Sequence, residues 1–153
     1  MIKNETIKTL IDSKLAETNY FLVDFVITPD NIIRIEIDSE DGVDIEFCVQ
    51  LSRFIEENLD REVEDFELEV GSAGLTTPFK VLRQYKKNIG NIVEVLENGG
   101  MKYNGTLISA DDEGFAIQIV KMERREGDKR KKEYSEELSY KYSDVKSVKY
   151  NNF

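Results

Sequence analysis

The chain has 153 residues, 40% of them hydrophobic and 34% charged, with a net charge of −10 and no histidine. That length suits one ordinary domain or two small ones, and no apolar run approaches the roughly 20 residues a membrane helix needs. The missing histidine excludes a Ser-His or Cys-His nucleophile pair, a Cys/His zinc site and the usual general base at neutral pH, while Cys48 has no second cysteine with which to form an internal disulfide.

From the N-terminus, "MIKNETIKTL" lacks the pattern of a signal peptide. "NETIKTLIDSKLAE" sets Ile7, Leu10, Ile11 and Leu15 at helical spacing, with Asn4 as the expected N-cap and Glu5 in the first turn. "YFLVDFVI" and "IIRIEID" follow as strands joined by "TPDN", where Pro29 and Asp30 suit the central positions of a type I turn. Along the second strand Ile33, Ile35 and Ile37 share one face, and Arg34, Glu36 and Asp38 share the other. "VDIEFCVQLSRFIEENLD" predicts a helix capped by Asp44, with Ile45, Cys48, Leu51, Ile55 and Leu59 as its buried stripe. "FELEV" closes an α-β-β-α-β unit with Phe66, Leu68 and Val70 facing inward. Two helices then cover one face of a small sheet, and the other face shows Asp24, Glu36, Asp38, Glu67 and Glu69.

The sharper chemical readings of this half give way to plainer ones. "DSEDGVD" has the acidic crowding of a calcium loop, but counting back from Gly42 puts Ile37 at the first ligand position of an EF-hand. A turn with a helix cap accounts for those residues, so no metal is expected. Cys48 on an apolar stripe reads as a small core hydrophobe, and the acidic strand face as a solvated surface rather than a glycosidase pair.

Residues 71–79, "GSAGLTTPF", lie where the composition changes sign. Residues 1–70 hold six Lys and Arg against nineteen Asp and Glu, a balance of −13, whereas residues 71–153 hold fifteen against twelve, a balance of +3. The first half should repel nucleic acid and the second can approach it. The junction is not a P-loop, since Gly71 and Gly74 lie too close together and Leu75 follows. Nor is it a nucleophile elbow, because Ser72 directly follows Gly71 and no histidine exists to activate it. It spells the G-x-x-G of KH domains, but after a strand rather than between helices. It reads as a tight connector ahead of a helix N-terminus able to hold an anion.

"TTPFKVLRQYKKNIG" predicts that helix, with Thr77 as cap, Pro78 at the first position and Gly90 just past the end. Phe79, Leu82 and Tyr85 offer a narrow apolar contact, and Lys80, Arg83 and Lys87 share another face, either solvated or anion-binding. From "NIVEVLE" onward the period is that of strands: "KYNGTLISA", "FAIQIV", "ELSYKY" and "VKSVKY" follow, with turns at "NGG" and "DDEG". Gly105 suggests a bend or bulge, and five short strands suggest an SH3-like or Sm-like barrel. Between the third and fourth strands, "KMERREGDKRKKEYSEE" (121–137) forms a charged hairpin loop with Gly127 at its tip. It displays Lys121, Arg124, Arg125, Lys129, Arg130, Lys131 and Lys132, the densest positive cluster of an acidic protein and a candidate RNA contact.

Taken in order, "FELEV", "GSAGLTTPFK", "QYKKNIGNIVEVL" and "YNGTLISADDEG" resemble the RimP family of ribosome maturation factors over essentially the full chain. The family's linker runs approximately V-S-S-P-G-L-x-R-P; Val70, Ser72, Gly74, Leu75 and Pro78 match it, while Gly71, Ala73 and Thr77 stand in place of a serine, the proline and the arginine. The resemblance implies an α+β protein: a KH-like α-β-β-α-β domain (1–72), a linker with a short basic helix (73–90), and an SH3/Sm-like β-barrel (91–153). It further implies a monomeric, cytoplasmic, non-enzymatic assembly factor without cofactor, which binds the immature small ribosomal subunit through a ribosomal protein and ribosomal RNA. With the charge split, Asp24, Glu36, Asp38, Glu67 and Glu69 are expected to meet a basic ribosomal protein. Lys80, Arg83, Lys87, Arg124, Arg125 and Lys129 to Lys132 are expected to approach RNA phosphates, with Gly71, Ser72, Gly74, Leu75 and Pro78 as the linker motif. Two other classes stay open at this stage. One is an Sm-like general RNA-binding regulator, which would form rings and bind free single-stranded RNA. The other is a hydrolase using Asp38, Glu40 and Asp41, with or without a metal.

Overall fold

The computed structural model describes residues 2–74 and 77–151, so Leu75 of the linker motif lies outside the described residues. The chain divides into two compact units, Met1–Gly74 and Leu75–Phe153.

The first unit runs α1 (Asn4–Leu15), β1 (Tyr20–Ile27), β2 (Ile32–Ser39), α2 (Ile45–Glu57) and β3 (Glu67–Ser72), the order expected from the sequence. Its sheet is mixed, with β2 central, antiparallel to β1 and parallel to β3. Ile7, Ile11 and Leu15 of α1 and Leu51 and Ile55 of α2 pack with Ile33, Ile35, Ile37 and Phe66 in one core, so both helices cover the same sheet face. Burial of a side chain such as Ile7 or Ile11, both fully buried, contributes about 1.5–3 kcal/mol. In β1 a bulge between Leu22 and Asp24 inserts one residue and resets the alternation. Tyr20 and Leu22 before it, and Phe25 and Ile27 after it, therefore all reach that core.

The local signals fare unevenly. The turn at Pro29 and Asp30 closes with the Asn31 amide donating to the Thr28 carbonyl at 3.0 Å, and Asn31 takes left-handed backbone at φ 59°. Asp44 caps α2 as expected, its carboxylate accepting from the Glu46 amide at 2.9 Å. Asn4, by contrast, is the first residue of α1; Lys3 holds the cap position and makes no side-chain cap hydrogen bond. A lysine has no acceptor to offer there. Ile45 is 81% exposed instead of buried, while Cys48 and Leu59 are half-buried. Strand β3 runs on through Gly71 and Ser72, and the Ala73 amide extends the ladder by donating to the Ile37 carbonyl at 3.0 Å.

The second unit contains α3 (Leu82–Lys87), β4 (Ile92–Glu97), β5 (Lys102–Ala110), β6 (Gly114–Glu123), β7 (Lys132–Lys141), a 3-10 turn (Tyr142–Asp144) and β8 (Val145–Tyr150). The strands form one antiparallel sheet in the order β7-β6-β5-β4-β8. No ladder joins β7 to β8 among the described residues, so the five strands form an open sheet rather than a hydrogen-bonded barrel. Val93, Val95, Leu107, Phe115, Ile117, Ile119, Val148 and Tyr85 make its core. Around Tyr85 the rings of Phe79, Phe115 and Tyr142 lie 5.0–5.3 Å away, centre to centre, spacings favourable for edge and offset contacts.

Three expectations change here. The helix expected from Thr77 onward is confined to Leu82–Lys87. Phe79 donates its amide to the Val148 carbonyl at 2.8 Å, and the Gln84 side chain accepts from the amides of Lys80 and Val81. Those backbone groups are thus satisfied without a longer helix. Gly105 is not a bulge: the β5 irregularity falls between Leu107 and Ser109, whereas a Cβ on Gly105 would stand 2.7 Å from the Gln118 carbonyl oxygen. Finally, much of the expected loop 121–137 is strand. β6 and β7 pair as far as Glu123 and Lys132, while β5 follows β6 only to Gln118, so the β6–β7 hairpin continues past its sheet as a two-stranded arm.

Candidate functional site

The acidic face follows from β-sheet geometry, because directly paired residues share a face. Asp24 stands opposite Glu36, Phe21 opposite Asp38, and Arg34 opposite Glu69. Glu67 and Glu69 are exposed, and Asp24 and Glu36 are half-buried. Asp38 is 9% exposed beside the buried Phe21 and accepts from the Ser39 amide at 2.8 Å. Asp24, Glu36 and Asp38 all engage partners in the protein. The face is also less uniformly negative than its sequence suggests: Arg34 Nε donates to Glu69 Oε2 at 3.0 Å. Both partners are exposed, and such a pair adds about 0–1 kcal/mol. Cys48 is no activated thiol, since burial, with Asp44 nearby, pushes its pKa up. No group of three or more Cys, Asp or Glu residues is placed to hold a metal ion among the described residues.

At the junction, Gly71 and Ser72 belong to β3, and Thr77 and Pro78 are exposed. The helix whose N-terminus was expected to hold an anion is six residues long, and the two amides just before it, Lys80 N and Val81 N, donate to Gln84 Oε1 at 2.6 Å and 3.2 Å. Lys80 therefore precedes the helix rather than sharing a helical face with Arg83 and Lys87, and each of these three cations engages a partner within the protein.

The arm is where cations concentrate. Gly127 turns the chain at φ 88°, and the Asp128 amide donates to the Arg125 carbonyl at 2.9 Å. Asp128 gathers the turn: its carboxylate accepts from the Arg125 amide at 3.0 Å and from the Tyr134 hydroxyl, and pairs with Lys132 Nζ at 3.3 Å. Arg124 Nε donates to the Asp128 carbonyl at 3.0 Å. Arg125 lies 3.8 Å above the Tyr134 ring and binds Glu123 at 2.6 Å. Lys121 pairs with Glu136 across the strands. The Tyr134 hydroxyl, then the Arg125 amide, hold the Asp128 carboxyl below the usual carboxylate range, and the same bond raises the Tyr134 hydroxyl. Of the seven cations singled out in 121–137, four are thus occupied within the arm. Lys129, Arg130 and Lys131 are exposed, and among the described residues no hydrogen bond or ion pair engages their side chains. The sequence reading counted the cations and missed Asp128, Glu123 and Tyr134. The spacing of Asp128 to Lys132 and a tyrosine two residues later were the available signals.

Fold and surface together define a two-unit α+β protein with an acidic mixed sheet and a cation-tipped antiparallel hairpin arm. A family model for the RimP N-terminal domain matches residues 10–76. The chain is 44% identical over 148 residues to the ribosome maturation factor RimP of Porphyromonas gingivalis strain W83, covering 97% of each chain. It is 37% identical to that of Christiangramia forsetii, covering 95% of each, and 36% identical to that of Flavobacterium psychrophilum, covering 92% of each. The chain belongs to the RimP family of ribosome maturation factors.

Proposed function

We propose that this chain is a maturation factor for the small ribosomal subunit, acting in the cytoplasm as a monomer by binding rather than by catalysis, and without a cofactor. The observation that carries the reading is the 44% identity to a ribosome maturation factor over 97% of both chains. The lack of histidine, which removes the usual general base at neutral pH, supports a non-enzymatic role. The α-β-β-α-β order supports a KH-like first domain (1–72), and the strand order β7-β6-β5-β4-β8 supports an SH3/Sm-like second domain (91–153) after a linker segment (73–90).

In this reading the acidic face with Asp24, Glu36, Asp38, Glu67 and Glu69 meets a basic ribosomal protein. Ribosomal RNA is met by the arm, with Lys129, Arg130 and Lys131 foremost and Arg124, Arg125 and Lys132 behind them; Lys80, Arg83 and Lys87 flank the same unit. Complementary charge mainly speeds encounter and orients docking. Co-sedimentation with purified small subunits, large subunits and whole ribosomes across a KCl series tests it. Selective, salt-sensitive pelleting with small subunits is expected. Equal pelleting with every particle, or binding to free single-stranded RNA alone, would overturn the assignment in favour of a general RNA-binding regulator.

A further inference from the structure

We infer that Asp128 is a positioning residue, whose carboxylate folds the tip of the β6–β7 arm into a preformed cationic turn that presents Lys129, Arg130 and Lys131 to RNA phosphates. The inference rests on the reading of the arm as an RNA-binding element. An acidic side chain inside a run of cations would ordinarily sit in solvent and lower the local positive field. Asp128 is instead withdrawn from solvent, its side chain 9% exposed within a loop whose neighbours are exposed. Its charge is turned inward and met there by one amide, one hydroxyl and one ammonium group. Arg124 closes the turn from the other direction on the Asp128 carbonyl, and Tyr134, fixed by the same carboxylate, is the platform on which Arg125 rests. These bonds span both sides of the turn, where no third strand is in the ladder among the described residues, since β5 leaves β6 at Gln118.

The consequence for binding concerns entropy more than charge. A mobile basic loop must be ordered when it meets RNA, at about 0.5–1.5 kcal/mol for each immobilised long side chain. A loop already closed on Asp128 holds the backbone that carries its three exposed cations in a fixed turn before any RNA arrives. Removing Asp128 therefore has an expected sign opposite to the one that net charge gives.

The test titrates the labelled full-length chain with purified small ribosomal subunits over a KCl series. Replacing Lys129, Arg130 and Lys131 together by alanine should weaken binding and reduce the salt slope by about two to three units, one for each phosphate no longer neutralised. Asp128→Asn should weaken binding roughly two- to tenfold, the ordering cost of a freed side chain, with salt slope and thermal midpoint unchanged and faster amide exchange over 124–131. Tyr134→Phe keeps every charge and the ring under Arg125 and should shift affinity the same way by less. If the triple alanine variant binds as well as the parent, the RNA reading of the arm fails and the inference falls with it. If that variant weakens binding while Asp128→Asn binds equally or more tightly, the arm reading stands and the positioning role is overturned. Should Asp128→Asn not fold, undiminished binding by Tyr134→Phe overturns the role by itself.

Discussion

The β1–β2 hairpin and the β6–β7 arm are both antiparallel strand pairs, and they are held by opposite means. The β1–β2 hairpin closes through Pro29 and Asp30, and its strands lie on a core of Ile33, Ile35 and Ile37 under two helices. Its tip residue Asn31 ties the turn to the rest of the unit, donating to Glu64 at 3.1 Å and to the Asp65 carbonyl at 3.3 Å. The β6–β7 arm has its core only at its root, through Ile117 and Ile119; beyond it, Val120 and Met122 are 61% and 59% exposed. Its tip is held by side chains of the arm itself, around Asp128. The first hairpin takes its shape from the fold. The second carries its shape with it beyond the end of the β5 ladder.

The largest expected effect separates the two directly. Ile35→Ala in the first hairpin, a fully packed site, should lower the unfolding free energy by about 2–5 kcal/mol in a denaturant titration. Val120→Ala in the arm should change it by at most about 0.5 kcal/mol. Equal losses would erase the distinction. Next comes the root of the arm: Gly105→Ala pushes a Cβ against the Gln118 carbonyl and should cost about 1–3 kcal/mol. Full stability of that variant would mean that β5 and β6 separate readily there. At the first tip, Asn31→Ala leaves a left-handed backbone to a residue that resists it and removes two donated bonds, for about 1–2 kcal/mol. Asn31→Gly should recover the backbone share, and calorimetry of both variants would check this.

The smallest effect is local and depends on pH. Folding depresses the Asp128 pKa, so its contribution to the turn is complete above the ordinary carboxylate value and is lost as pH falls through the folded value. Relative to the intrinsic rate at each pH, amide exchange over 124–131 should accelerate in that acidic range while the β1–β2 turn is unaffected. In Asp128→Asn the acceleration should already be present at neutral pH and show no such titration. A parent arm with no pH response would detach Asp128 from the turn's order.

Much of the first unit was legible because its signals are local or periodic: the Asp44 cap, the Pro29 turn and the alternating isoleucines of β2 appear where expected. Periodicity failed at Ile45 because it assigns a direction to a side chain without saying whether anything lies in that direction. The helix after the junction was over-read from Thr77 and Pro78, whose cap-like chemistry is overridden by the Phe79 bond to Val148 and the reach of Gln84 to two amides. The arm was under-read for the converse reason. In β6 only Val120 and Met122 alternate with Lys121 and Glu123, and the facing residues 132–137 of β7 carry charges on both faces. Apolar alternation is thus too short to mark the pair, although Lys121 reaches diagonally to Glu136 across the ladder. In the candidate RNA contact, a count of cations singles out the segment but not its structure. Which of them are displayed is set by acidic and aromatic partners that a charge count does not weigh.

Past Gln118 the β5 side of β6 has no ladder partner among the described residues, and an unpaired edge offers its amides and carbonyls to whatever extended chain comes near. Val120 and Met122 would favour such an encounter between copies, and the neighbouring Lys121, Glu123, Arg124 and Arg125 oppose it. A version of the arm neutralised for crystallisation or expression would therefore exchange a lone hairpin for a nucleus of intermolecular sheet.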